Sequence, residues 1–137
     1  MITYEKVLVL KNISLFEKAS ELALSDLISV AEEKMLKSGE VLLPKGQSND
    51  ALYIVLSGLL EMGVNKKNQE FGPRQIIGET TVFSPATLEG EVKAKEKTFV
   101  LKINSQQLYR IMALHPTLAY SFLEELSRRV RLAEKKD

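Results

Sequence analysis

The residues best suited to chemistry in this chain gather in one stretch, GETTVFSPATLEGEVKA, residues 78–94. Glu79, directly after Gly78, offers a carboxylate that either accepts from a ligand hydroxyl or neutralises the backbone at the start of a short helix. Thr80 and Thr81 offer hydroxyls either to a neutral ligand or to the end of that helix. Leu88 reads as a core or rim leucine. Glu89 and Glu91, with Gly90 between them, alternate as residues of a strand do, so both point to one side. Arg74 is either a neighbouring cation that reaches this stretch or a loop charge. His115 stands directly before Pro116 and reads as a helix-junction residue.

Other chemistries lack their parts. The sequence has no cysteine, which excludes disulfides, thiolate metal sites and a cysteine nucleophile. A single histidine leaves no clustered ligand set of the kind that metal enzymes built on β-rolls require. There is no P-loop and no G-x-G-x-x-G fingerprint. An enzyme is not expected, and no catalytic residue, metal or cofactor is assigned.

At 137 residues, 45 % apolar and 27 % charged, the chain fits one globular domain. Nineteen basic residues against 18 acidic ones leave a formal charge of +1, so no global field draws it to nucleic acid or an anionic membrane. The longest apolar stretch, residues 51–60, is broken by Ser57 and Gly58 and has about half the length of a bilayer-spanning helix. The apolar run at residues 7–10 is too short for a signal-peptide core. A cytoplasmic location with no membrane partner is the expectation.

The elements that must position the stretch follow from periodicity. Leu22, Leu24, Leu27, Ile28, Ala31 and Met35 fall mostly three and four apart, which predicts a helix over residues 20–37, capped by Ser20 or, with a later start, by Ser25. Gly39 is expected at its C-terminus. From there the chain turns to short apolar runs between glycine, proline, asparagine and lysine, the pattern of an all-β roll. Ala51-Leu52-Tyr53-Ile54-Val55-Leu56 is the clearest strand, residues 64–69 form a polar hairpin tip, and residues 99–103 form the last strand. Asn104-Ser105 then caps a helix over residues 106–114, and Pro116 opens another. The expected organisation is a single domain, 1–137, helical over 1–38, a jelly-roll-like β-roll (a double-stranded β-helix) over 39–103, and two helices over 104–137.

In the last helix Ala119, Leu123, Leu126, Val130 and Ala133 alternate four- and three-residue spacings, flanked by the pairs Glu124/Arg128 and Glu125/Arg129. The stripe either packs on its own domain or forms the seam of a homodimer. The basic residues Arg128, Arg129, Arg131, Lys135 and Lys136 are interspersed with Glu124, Glu125, Glu134 and Asp137 and read as a solvated helix surface rather than a DNA contact.

The run Leu10-Lys11-Asn12-Ile13-Ser14-Leu15-Phe16, the helix after it, then Gly39-Glu40-Val41, Gly46, Asp50-Ala51-Leu52-Tyr53-Ile54-Val55 and Ser57-Gly58 resembles the cyclic-nucleotide-binding domain family in order and spacing. Phe71-Gly72-Pro73-Arg74-Gln75-Ile76-Ile77-Gly78-Glu79 is similar to the approach to that family's phosphate-binding cassette, and the two terminal helices match its B and C helices. The resemblance implies a β-roll that senses a ligand, with the pocket built around Gly78, Glu79, Thr80, Thr81, Leu88, Glu89, Gly90 and Glu91.

Within that resemblance Glu79 falls on the family's ribose-binding glutamate. The arginine that grips the cyclic phosphate falls on Leu88, and the two positions around it become Glu89 and Glu91. Losing a charge-assisted contact costs about 1.5–3 kcal/mol, and a carboxylate near a phosphate adds repulsion. A cyclic nucleotide is therefore disfavoured, and a regulatory or interaction module with a different small-molecule ligand, or none, is the expectation. The alternatives are a true cyclic-nucleotide sensor with an unusual phosphate contact, or a structural dimerisation module. The family's transcription factors carry a helix-turn-helix after the C helix, and no DNA-binding domain is expected in residues 1–137.

Overall fold

The structure is a computed structural model that describes residues 1–135. Lys136 and Asp137, counted above among the charges of the final helix, lie outside the described residues. The chain divides into two compact units, residues 30–107 and residues 1–29 with those from 108 onward.

The first unit is the β-roll. One antiparallel sheet runs in the order β1 (Glu32–Leu36), β10 (Thr98–Asn104), β4 (Ala51–Ser57), β7 (Ile76–Ile77). The second runs β2 (Val41–Leu43), β9 (Val92–Ala94), β5 (Leu60–Val64), β6 (Lys67–Phe71), and a short pair joins β3 (Ser48–Asn49) to β8 (Ala86–Thr87). Leu36, Tyr53, Val55, Leu60, Val92 and Val100 meet in the core between them. Every residue from Ala51 to Leu56 is buried, as the unbroken apolar run requires of a central strand. At the polar hairpin tip Asn65 and Lys66 have φ of 49° and 67°, the positive values that a two-residue turn needs to match the strand twist.

The helix expected over residues 20–37 is shorter, and the boundary expected at residue 38 moves with it. Helix α2 spans Glu21–Val30, and the chain is already extended at Glu32. Ala31 and Met35 keep a four-residue spacing, but the backbone of residues 32–36 finds its hydrogen-bond partners on β10, from Glu32 opposite Lys102 to Leu36 opposite Thr98. A complete ladder outweighs a weak period. Gly39, with φ of 85°, consequently serves a turn between β1 and β2 rather than a helix end. Ser20 is the cap, its Oγ accepting from the Ala23 N–H at 3.1 Å, and Leu22 is exposed.

The second unit is helical: α1 (Thr3–Lys11), a 3₁₀ turn at Ser14–Phe16, most of α2, the end of α3 (Ser105–Leu114) and α4 (Pro116–Glu134). Phe16 and Phe122 meet edge to face at 5.3 Å between ring centres, an arrangement favoured by the ring quadrupoles. The buried Ser121 Oγ accepts from the Lys18 N–H at 3.0 Å. His115 holds the α3–α4 junction, with Nε2 2.7 Å from Asp26 Oδ2 on α2. Among the described residues no helix is long and apolar enough to cross a membrane.

Helix α4 turns Leu118, Ser121, Phe122 and Glu125 inward. That face is one position away from the stripe read in sequence, of which Leu123 and Val130 are 64 % and 56 % exposed, Ala119 and Leu126 are half-buried and Ala133 is exposed. The charge pairs differ too. Arg128 turns to Glu125 rather than Glu124, with Nη2 2.7 Å from Oε1, while Arg129 Nε donates to Oε2 at 2.8 Å. Glu124 instead lies 3.8 Å from Lys18.

Burial alone would raise the Glu125 carboxyl, but hydrogen bonds from Arg129, Arg128 and Ser14 outweigh it and hold it below the usual carboxylate value. A depressed folded-state value stabilises the fold above the unfolded pKa of about 4.3, and this contribution is lost as the pH falls through the folded value. Glu125→Gln is therefore expected to cost about 1 kcal/mol at neutral pH. Urea unfolding at a series of pH values checks it, since the gap between variant and wild type should close on acidification.

Candidate functional site

The second half of the roll encloses a cavity of about 500 Å³, within the range of small-molecule sites. It lies between the edge strand β6 of one sheet and the edge strand β7 of the other. Met62 and Gln69 are cross-strand partners on β5 and β6, and Phe71 shares the face of Gln69, so strand alternation carries all three to the cavity wall. Ile76 and Ile77 supply the opposite wall from β7. The turn at residues 78–81 and the loop through Ser84, β8 and Leu88 complete it.

The turn is fixed from beneath. Gly78 has φ of 99°, and a Cβ there would overlap the Ala51 carbonyl oxygen and lie 2.9 Å from Asn49 Nδ2. Asn49 is buried, and its Nδ2 donates to the Ala51 carbonyl at 2.8 Å and to Thr81 Oγ1 at 2.9 Å, while its Oδ1 accepts from the Ala51 N–H at 3.2 Å. Thr81 Oγ1 in turn donates to the Gly78 carbonyl at 3.4 Å. Both the Thr81 and Val82 N–H groups return to that same carbonyl, at 3.1 and 2.9 Å. The short helix implied by the resemblance is thus a single turn, followed by bends over residues 82–84.

Of the eight residues read as a pocket, Gly78, Glu79, Thr80, Thr81, Leu88 and Glu89 line this cavity. Thr81 is committed to the scaffold, since its hydroxyl both accepts from Asn49 and donates to Gly78. Thr80 is exposed and Glu79 half-buried at the mouth of the turn. Gly90 and Glu91 do not line the cavity. Glu89 and Gly90 lie in a bend, and β9 begins only at Val92, so the strand alternation that placed both acids on one side does not hold. Gly90 packs so tightly that a Cβ would overlap the Gly63 carbonyl oxygen. Leu88, a partly buried residue packed against the core, lines the cavity as well.

Arg74 is an exposed loop residue outside the lining, its N–H bonded to the Val55 carbonyl at 2.9 Å. Sequence reading missed Met62, Gln69, Phe71, Ile76 and Ile77. Alternation around the hairpin marks which residues of β5 and β6 share a face, but not that this face meets the turn. It also missed Asn49, which ties the turn to the start of β4.

The chain belongs to the cyclic nucleotide-binding domain family, whose model matches residues 33–115, the cavity included. It is a regulatory or ligand-sensing module of that fold. It is similar over 94 % of its length, with a TM-score of 0.84 and 23 % identity, to the N-terminal domain of a transcriptional regulator from Streptomyces coelicolor A3(2), of which it covers 94 %. That likeness is one of fold. A cyclic nucleotide-binding-like protein from Brucella abortus is 26 % identical over 80 % of this chain and 98 % of its own, with a TM-score of 0.70. A lysophospholipase of Neurospora crassa is 28 % identical over 103 residues, 70 % of this chain but 7 % of that protein, so the chain spans a small part of such a relative.

Substitutions at the turn test how far its geometry rests on packing. Thr81→Val is expected to lose about 1–3 kcal/mol by removing a partner of the buried Asn49 amide. Gly78→Ala should cost at least as much, through left-handed strain and overlap with the Ala51 carbonyl. Chemical denaturation of both variants checks the order.

Proposed function

We propose that the cavity is the sensing site of this module and that its ligand is not a cyclic nucleotide held by an arginine clamp. One observation carries the reading: Leu88 and Glu89 line the cavity, and among the described residues no lysine or arginine does. A cyclic phosphate placed here would face a carboxylate where a paired cation is needed. Glu79, at the start of the turn, accepts from a ligand hydroxyl in this reading, while Thr80 lies beside it.

A second reading is a true cyclic-nucleotide sensor whose phosphate rests on backbone N–H groups of the turn. The family match running through the whole cassette favours it, as does the retention of Gly78-Glu79. Calorimetry separates the two. Cyclic AMP and cyclic GMP are expected to bind no tighter than the high micromolar range, and Leu88→Arg with Glu89→Ala should raise the affinity by about tenfold or more. Low-micromolar binding to the wild type would establish the second reading.

We also propose that two copies associate along α4 through Ala119, Leu123, Leu126 and Val130. The exposure of Leu123 and Val130, two turns apart on one helix, supports an isologous contact. Sedimentation should show a concentration-dependent dimer that Leu123→Glu abolishes, with no change in melting temperature because Leu123 is exposed in the single chain. A wild type that stays monomeric at high concentration rejects the contact.

A further inference from the structure

Granting the reading of the cavity as a ligand site, we infer that it selects ligands with a positive charge on an apolar body, and that Glu89 sets this preference while Glu91 does not. The wall is apolar at Met62, Phe71, Ile76 and Leu88, and a ligand that fills it must present an apolar surface there. Glu89 follows Leu88 directly, and it lines the cavity while remaining exposed to solvent. Among the described residues no ion pair engages it.

The nearby cations are held elsewhere. Lys93 lies across the strand pair from Glu61, 3.8 Å away, and Lys95 lies 3.8 Å from Glu61 and 2.8 Å from Glu70. Glu61 and Lys93 alternate with Met62 and Val92, so this network occupies the face of the sheet opposite the cavity. A carboxylate at the rim of a partly enclosed cavity acts through less water than one on an open surface, so its field reaches a bound group. The sign of that field attracts an ammonium and repels a carboxylate or phosphate on the same body. Glu91, which strand alternation would pair with Glu89, stands outside the lining.

Two probes that share an aromatic body and differ in charge test this: tryptamine, an ammonium, and indole-3-propionate, a carboxylate. Nitrogen-15 spectra of the full chain would be followed at the amides of residues 79–81 and 88–89 during titration. Tryptamine is expected to bind about tenfold more tightly at low salt, with the advantage shrinking as salt is added. Glu89→Gln should cut that ratio to about threefold or less, and Glu91→Gln should leave it unchanged. Equal binding of the two probes, or the same loss of preference in both variants, overturns the inference and leaves the cavity a ligand site. If neither probe moves these amides at about 10 mM, the reading of the cavity as a ligand site falls and the inference with it.

Discussion

The backbone of Gly78 lies against the Ala51 carbonyl at a distance no side chain permits, and the buried Asn49 amide bonds to both sides of that contact. A buried amide with its hydrogen bonds made is rigid, because breaking any one of them leaves a polar group with neither protein nor water. The turn at residues 78–81 is therefore attached to strand β4, the most deeply buried strand of its sheet. Glu79 and Thr80 are presented at the cavity as a consequence, and Thr81 is withdrawn from it.

The other end of the same stretch is governed by a second close contact. Gly90 lies against Gly63 of β5, in a bend between Glu89 and Glu91 that precedes the start of β9 at Val92. Two acids that look alike in sequence thus differ in place: Glu89 lines the cavity and Glu91 does not. The electrostatic character of the cavity comes from its lining alone, since the formal charge of the chain is close to zero and Lys93 and Lys95 pair with carboxylates on the opposite face.

In the helical unit the same economy of buried polar groups holds. Glu125 is tolerated inside because Arg128 and Arg129 satisfy both of its oxygens, and Ser121 because it receives the Lys18 N–H. Helix α4 is held on one side by Leu118 and Phe122, leaving Leu123 and Val130 on the other. The apolar stripe of this helix is wider than its own unit can cover.

Much of this was legible in the residues. The unbroken apolar run of β4, the polar tip at Asn65-Lys66, the Asn104 cap and the Pro116 helix start are local features, set by side-chain shape, capping and φ preference, and each is found where the sequence places it. The order of glycines and strands carried the family, and the resemblance to its cassette singled out Gly78, Glu79, Leu88 and Glu89, which line the cavity. What the sequence could not decide depended on partners far along it. Ala31 and Met35 keep a helical spacing, and only the ladder to β10 makes residues 32–36 a strand. Met62, Phe71 and Ile76 look like ordinary core positions until two sheet edges are brought to either side of one turn. Glu89 and Glu91 are equivalent by alternation, and only the bend at Glu89-Gly90, where Gly90 meets Gly63, sets them apart, because backbone proximity is a property of the folded chain and leaves no periodicity to read.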